Sequence, residues 1–289
     1  MRDAERKTLM YQVRKIEDLP LPAKNAVAFR TLFRKQKLDK LDAALVFDHG
    51  YVLFSQVLKR IFQSGGLAED SRVPSPAEAL ELIGFEDMCA LLQELPVIDS
   101  FMDAEKEDWE HASSCRILVQ HLLRTNGIDM PHIITAVRVH DIGHNAFREI
   151  VPKRYAIINS QRERNISRHR LEENLLNLTH AEAGGILLEH WGYPPEVWKP
   201  VSYHHNEDVP PDYQFETAIL QFVDWIDGAA RNRPVDKPLR PILECAGLAD
   251  LDPEPWIKIQ RRVIRMNELR IRKFREHEFA MMQQVSAAK

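Results

Sequence analysis

Apolar residues recur at three- and four-residue intervals along nearly the whole chain, the spacing that lines one face of an α-helix. After LPLP at 19–22, Phe29, Leu32 and Phe33 mark a first such stretch. Leu41 to Phe62 forms a broader one, with Leu45, Val46, Val52, Leu53, Val57, Leu58 and Ile61 on its apolar face, and SGG at 64–66 breaks it. Ser75 is placed as a helix N-cap, with Pro76 at the first helical position, Glu78 three residues on, and Gly84 positioned to end the helix AEALELIG. Further helices are expected at 105–125, closed by Asn126 and Gly127, and from Pro131 to about Val139 and beyond. THAEAGGILLEHW, PPEVWKPVSYHH and ETAILQFVDWIDGAA follow, with prolines at the joints. QRERNISRHRLEE at 161–173 reads as part loop and part helix. A basic amphipathic helix begins near Pro253, with Ile264, Leu269, Ile271 and Phe274 opposite a solvated face rich in arginine. The pattern predicts an all-α protein, divided at 1–104, 105–230 and 231–289.

Composition narrows the class. Eleven glycines in 289 residues, with no GxGxxG and no GxxxxGK[ST], argue against dinucleotide-binding and P-loop folds. Three scattered cysteines, Cys89, Cys115 and Cys245, form neither a disulfide framework nor a CxxC zinc site, as expected for a reducing compartment. A net charge of -4 gives no strong nucleic-acid signal. No charge-free run is long enough to span a bilayer, and the opening MRDAERKTLMYQVRK lacks a secretory apolar stretch, so a soluble, cytoplasmic protein without a membrane partner is expected.

The chemistry is carried by histidine. Ten of the twelve histidines fall between residues 105 and 230. His140 closes the apolar run IITAVRV and is followed at once by Asp141, Ile142 and Gly143. Imidazole and carboxylate together form a mixed N/O ligand set suited to borderline divalent metals, and carboxylate oxygens can bridge two ions. Asp224 and Asp227 stand one helical turn apart in QFVDWIDGA. His204 and His205, if helical, lie about 100° apart, so one is expected to face a metal and the other to orient it. Glu107 is on the same face as His111, in an acidic stretch that reads most simply as solvated. His121, His132, His169 and His190 read as structural or exposed, and Trp109, Trp191, Trp198 and Trp225 as core packing. Lys153, Arg154, Arg162, Arg164, Arg168 and Arg170 form a basic stretch able to contact phosphate or act as a lid, with surface solvation the simpler account.

Taken in order, His111, His140-Asp141 in VHDIGH, His180 in HAEAGGILLEHW, His204-His205 in SYHHN and Asp224 in QFVDWIDGA resemble the HD superfamily of metal-dependent phosphohydrolases. Within it the chain is most similar to the HDOD family, the HD-related output domain of bacterial signalling proteins, over residues 15–230. LPLPAKNAVAFRTL and RVPSPAEALELIGFEDM are similar to that family's helical lead-in. The resemblance implies an HD-type helical bundle with an N-terminal helical subdomain. It implies a mono- or dinuclear site for Fe, Mn or Zn. His111, His140, Asp141 and Asp224 would form one metal set, with Asp141 bridging, and His180, His204 and His205 would complete a second. The function implied is a regulatory or ligand- and partner-binding module of bacterial signal transduction. The alternative is a phosphodiesterase or phosphohydrolase acting on a nucleotide such as a cyclic dinucleotide, with Asp141 and His144 catalytic. Two departures from the HD-GYP phosphodiesterases separate these readings: His144 replaces the lysine of HDxGK, and NEDVPPDYQ stands where the GYP segment would follow the paired histidines.

Overall fold

The computed structural model describes residues 2–22, 26, 29–30, 51–65, 73–98, 102–161 and 166–286. Leu32, Phe33, residues 41–50, Arg162, Arg164 and the side chains of Ile271 and Phe274 lie outside the described set. Among the described residues the protein is helical apart from one parallel pair of two-residue strands, in which Leu21 and Pro22 (β1) lie opposite Val97 and Ile98 (β2).

The N-terminal part is formed by α1 (Arg2–Val13), α2 (Tyr51–Gln63) and α3 (Pro76–Glu94). Ser75 and Glu78 make the reciprocal capping box that their spacing predicts at the start of α3. Gly84 meets the expectation: at φ 73° and ψ 165° it leaves helical geometry and ends the helix that Ser75 caps, and a second helix follows it to Glu94.

The next helices are α4 (Met102–Thr125), α5 (Pro131–Val139), α6 (Gly143–Ile150), α7 (Pro152–Ser160) and α8 (Arg168–Leu176). They are followed by α9 (His180–His190), α10 (Pro195–Tyr203), α11 (Gln214–Ala230), α12 (Arg240–Cys245) and α13 (Pro253–Ser286). No described helix is long and apolar enough to cross a membrane.

Two apolar cores flank the middle helices. The first joins Leu9, Phe29, Phe54 and Leu92 to Phe147, Leu187, Trp191 and Val201, so N-terminal helices and α6, α9 and α10 share one interior. Trp191 Nε1 donates to Ile16 O (2.9 Å) and Tyr193 Oη to Ser55 O (2.8 Å), fixing that junction. The second core gathers Cys115, Leu118 and Leu122 of α4 with Phe222 and Ile226 of α11 and with Leu243 and Ile257 beyond residue 230.

The buried stripe of α13 differs from the one its apolar pattern suggests. Leu269 is half exposed, whereas Gln260 and Asn267 are buried. The cause is hydrogen bonding: Gln260 Nε2 donates to Asp227 Oδ1 (2.6 Å), and Asn267 Nδ2 to the hydroxyls of Ser113 and Ser114 on α4. Each amide nitrogen is paired, though Gln260 Oε1 is buried without a donor among the described residues, and the paired nitrogens dock α13 against the helices that carry His111 and Asp224.

Candidate metal centre

Four short structural devices bring distant histidines together between the two cores. His140 caps the C-terminal end of α5, and Asp141 and Ile142 form the turn before α6. Gly143 then allows contact that no side chain would: a Cβ there would lie 2.0 Å from His180 O. The turn therefore abuts the first residue of α9. Thr179 and Glu182 form a capping box that fixes His180 at that helix start. On α10 the helix stops at Tyr203 with His204 as its C-cap. His205 therefore falls in a turn, is freed from the 100° helical offset, and joins His204 on the same side instead of facing away.

His111 of α4 and Asp224 of α11 complete the group, and all seven residues of the ordered pattern converge. His111 Nε2 lies 3.0 Å from His140 Nε2 and 3.2 Å from Asp224 Oδ1. His180 Nε2 lies 3.3 Å from His204 Nε2 and 3.1 Å from His205 Nε2. Asp141 stands between the two groups. Its Oδ2 is 3.6 Å from His111 Nε2, and its Oδ1 is 3.5 Å from His140 Nε2 and 3.2 Å from His180 Nε2.

Proton accounting at the rings shows what this geometry demands. His140 Nδ1 donates to Val137 O (2.7 Å) and His204 Nδ1 to Val201 O (2.6 Å). His111 Nδ1 donates to Asp227 Oδ2 and His180 Nδ1 to Glu172 Oε2, both at 2.6 Å. A neutral imidazole has one N–H, and in each of the four rings it is taken on the outer side. In the neutral rings each of these four Nε2 atoms is thus an inward lone pair. Two such lone pairs about 3 Å apart need a cation or an added proton between them. The donor atoms of His111, His140 and Asp141, with Asp224 3.2 Å from His111, fit one divalent ion, and those of His180, His204 and His205, with Asp141 3.2 Å from His180, fit another.

The shifts of the buried groups follow the same logic. Burial disfavours the imidazolium of His180, but Glu172 and Asp141 outweigh it and push the ring up to about 10. Burial, with His140 and His180 adding repulsion, pushes His204 down to about 3. For Asp227, burial favours the neutral acid, yet His111 and Arg231 bring the carboxyl down to about 2. Protons and metal ions compete for these atoms.

His144 is 2% exposed and sits beside Asp141, its Nε2 3.5 Å from Asp141 Oδ1. Its Nδ1 is 2.6 Å from Tyr155 Oη, and Tyr155 Oη donates onward to Glu172 Oε1 (3.3 Å). Burial and then Arg168 and His180 hold His144 well below the usual imidazole range. A cleft of about 650 Å³ opens over the cluster, lined among others by Asp141, His144, Arg168, His205, Asp224 and Asp236.

Other expected positions fall outside the cluster. Glu107 is half exposed on the cleft rim, 3.7 Å from Arg233. His132 faces Glu216, His190 faces Glu17, and His121 lies by Trp256. His169 is nearer the centre than expected, stacked on His205 with ring centroids 4.3 Å apart. Asp227, one turn after Asp224, is fully buried behind His111. Glu172 and Tyr155 carried no mark in the sequence: they lie eight and 25 residues before His180, on α8 and α7, where no spacing rule links them to it.

Comparison with known proteins agrees with this architecture. Residues 19–207 match the model of the HDOD domain, and the chain belongs to the HDOD family. The fold is similar to that of the MmoQ response regulator of Methylococcus capsulatus (TM-score 0.62, 16% identity, 84% of this chain and 98% of that one). It is also similar to that of a virulence factor of Campylobacter jejuni (TM-score 0.60, 11% identity, 88% of this chain and 95% of that one). In sequence, an uncharacterized protein of Treponema pallidum is 23% identical over 225 residues, which cover 73% of this chain and 44% of the relative. The chain thus spans less than half the length of that curated relative.

Proposed function

We propose that this HDOD protein holds a divalent metal centre of the HD type and serves bacterial signal transduction as a cytoplasmic ligand- or partner-binding module. The observation that carries the metal reading is the set of inward Nε2 lone pairs, each enforced by an outward N–H bond to a carbonyl or carboxylate. The signalling reading is supported by HDOD membership and by the likeness of the fold to a protein described as a response regulator. His111, His140, Asp141 and Asp224 would hold one ion, and His180, His204 and His205 would hold a second with Asp141 shared between them. Fe, Mn and Zn suit this mixture of imidazole and carboxylate.

One observation favours the alternative of a phosphohydrolase or phosphodiesterase acting on a nucleotide such as a cyclic dinucleotide. The cleft reaches residues of both halves of the cluster, His111 and Asp224 as well as His180 and His205, so a ligand entering it meets the centre directly. Bound ions in such a site polarise a phosphate ester and activate water. Asp141 would position both halves about one carboxylate. His144, held neutral by burial and nearby cations and anchored through Tyr155, is suited to complete a ligand set rather than to donate a proton at neutral pH.

The test is metal content by mass spectrometry on untagged protein purified anaerobically, wild type against Asp141→Ala, with cyclic-dinucleotide hydrolysis followed in parallel. One to two Fe, Mn or Zn per chain, lost in Asp141→Ala, is the expected result. Turnover lost in the same variant selects the enzyme, and stoichiometric metal without turnover selects the module. A folded wild type that takes up no metal when offered each of the three ions overturns both.

A further inference from the structure

The cleft beside the cluster contains a charge that the metal reading leaves unexplained. Two guanidinium groups, those of Arg148 and Arg168, share the single carboxylate of Asp108. Arg148 is enclosed, with Nη2 on Asp108 Oδ2 and Nη1 donating to Asn145 Oδ1 (2.6 Å), its Nε buried without an acceptor among the described residues, and it does not line the cleft. Arg168 sits at the cleft wall with its side chain 13% exposed. Its Nη1 donates to Asp108 Oδ1 (3.2 Å), and its Nη2 is buried with no acceptor among the described residues.

The remaining carboxylates of the cleft have cations or donors of their own. Glu107 faces Arg233, Asp224 faces His111, and Asp236 accepts from Ser167 and Arg170 and faces His169. Asp141 would be engaged by the metal ions. The trio of Asp108, Arg148 and Arg168 therefore keeps one positive charge, and of its two guanidinium groups that of Arg168 is the one that lines the cleft. A buried, incompletely paired guanidinium is costly, and a planar donor fork matches the oxygens of an oxyanion.

We propose that Arg168 is the anion-recognition residue of this cleft and that the ligand it selects is a small molecule bearing a phosphoryl group. One oxygen edge of that group meets Arg168 while the group faces the metal centre. A phosphoryl group suits the place because its several oxygens and higher charge can meet both, whereas a monoanionic carboxylate has a single pair of oxygens for the two demands. This inference rests on the metal centre proposed above. It assigns Arg168, among the basic residues between 153 and 170, a binding role in place of surface solvation.

The experiment uses the full chain loaded with Mn²⁺, with metal content measured on every sample. Inorganic phosphate is titrated calorimetrically, and ³¹P relaxation reports its closeness to the bound ion. Acetate is the competing anion, and Arg168→Gln, Arg168→Lys and the remote Arg240→Ala are compared with wild type. The expected result is phosphate binding that weakens about 10- to 100-fold in Arg168→Gln at unchanged metal content, and less in Arg168→Lys, which keeps the charge beside Asp108. Arg240→Ala should stay within about twofold, since its side chain is exposed and pairs with Glu244 and Asp250 away from the cleft. If Arg168→Gln does not fold, Arg168→Lys alone decides, through lost affinity and lost ³¹P relaxation. Loaded wild type that ignores phosphate, or variants that bind it as wild type does, overturn the inference and leave the metal reading intact. Equal, Arg168-dependent binding of acetate overturns the phosphoryl assignment. Failure to load Mn²⁺, Fe or Zn at all is the separate failure of the metal reading.

Discussion

The half of the cluster built on His111 and His140 and the half built on His180 and His204 are alike at the ring and different behind it. In each, one histidine is oriented by a carbonyl in its own last helical turn and the other by a buried carboxylate. The carboxylates differ. Asp227 is held by cationic Arg231 (2.7 Å) and by Gln260 (2.6 Å), so its charge is shared with a guanidinium. Glu172 is held by the His180 backbone N–H (2.7 Å) and by Tyr155, both neutral donors, so its charge is directed at the imidazole. The His180 half thus carries the stronger local negative field, whereas the His111 half is braced by the C-terminal helix. Carboxylates in this outer position tune ligand basicity as well as ring direction, so equal ring geometry does not mean equal affinity.

The strongest way to break the comparison is to remove the frame both halves share. Asp108 lies one helical turn before His111, Arg148 lies on the helix that follows the Asp141 turn, and Arg168 begins the helix that carries Glu172. Asp108→Asn leaves two buried guanidinium groups without their counter-charge. Breaking such a pair costs roughly 3–5 kcal/mol, to be read from urea unfolding at pH 7, with metal uptake weakened in both halves together. The pH dependence follows from the wild-type carboxyl. Burial raises it, but Arg148 and Arg168 outweigh burial and hold it below the usual carboxylate value. Its contribution is therefore fully present above the unfolded-state pKa of about 4 and is lost as pH falls through the lower folded value. The gap between wild type and Asp108→Asn should narrow as pH drops below about 4; a gap that is constant down to acid pH rules out the charge as its source.

A sharper cut separates the halves. Asp227→Asn and Glu172→Gln each preserve shape and remove charge. Either is expected to weaken metal binding about 10- to 100-fold, with Glu172→Gln the more severe, because Asp227 already shares its charge with Arg231. Competition against a chelator of known affinity gives the ranking. If Asp227→Asn is the more damaging, bracing by the C-terminal helix matters more than field strength, and the contrast between the halves is reversed.

The same contrast shows what the sequence could convey. His111 stands alone on its helix, and only the order of all seven inner residues, through the resemblance to the HD superfamily, grouped them. The other six were legible because each sits in a short local pattern: a helix-ending His-Asp just before Ile-Gly, a His after a capping Thr, a His doublet at a helix end, and an Asp in an apolar helix. Helical content, the Ser75 cap and the Asn126-Gly127 stop were legible for the same reason, since each depends on neighbours within one turn. Asp227 could be seen only as a rival of Asp224, because one-turn spacing places both on one face without saying which is deeper. Glu172, Tyr155 and the trio of Asp108, Arg148 and Arg168 could not be paired at all. Their contacts are made between helices 17 to 60 residues apart, where no periodicity reaches. The buried Gln260 and Asn267 of α13 misled the apolar pattern for a related reason, since burial there follows hydrogen-bond partners rather than hydropathy.

The smallest expected effect tests whether helix capping acts on the cluster or only on stability. Ser75 and Thr179 head α3 and α9 with the same reciprocal box, using Glu78 and Glu182. Loss of either hydroxyl should cost about 1 kcal/mol. The consequences diverge because Ser75 is remote from the histidines, whereas Thr179 directly precedes His180. Glu182, moreover, is fastened to Arg6 of α1 at 2.6 Å, so the α9 cap is braced from the N-terminal part of the fold. Ser75→Ala should lower thermal stability and leave metal affinity as in wild type. Thr179→Ala should lower stability by a similar amount and also weaken metal binding, because fraying the first turn of α9 releases the His180 backbone N–H that anchors Glu172. Equal metal affinity in the two variants would mean that Glu172 and Asp141 hold His180 without help from its helix, and that the His180 half depends on its electrostatics alone.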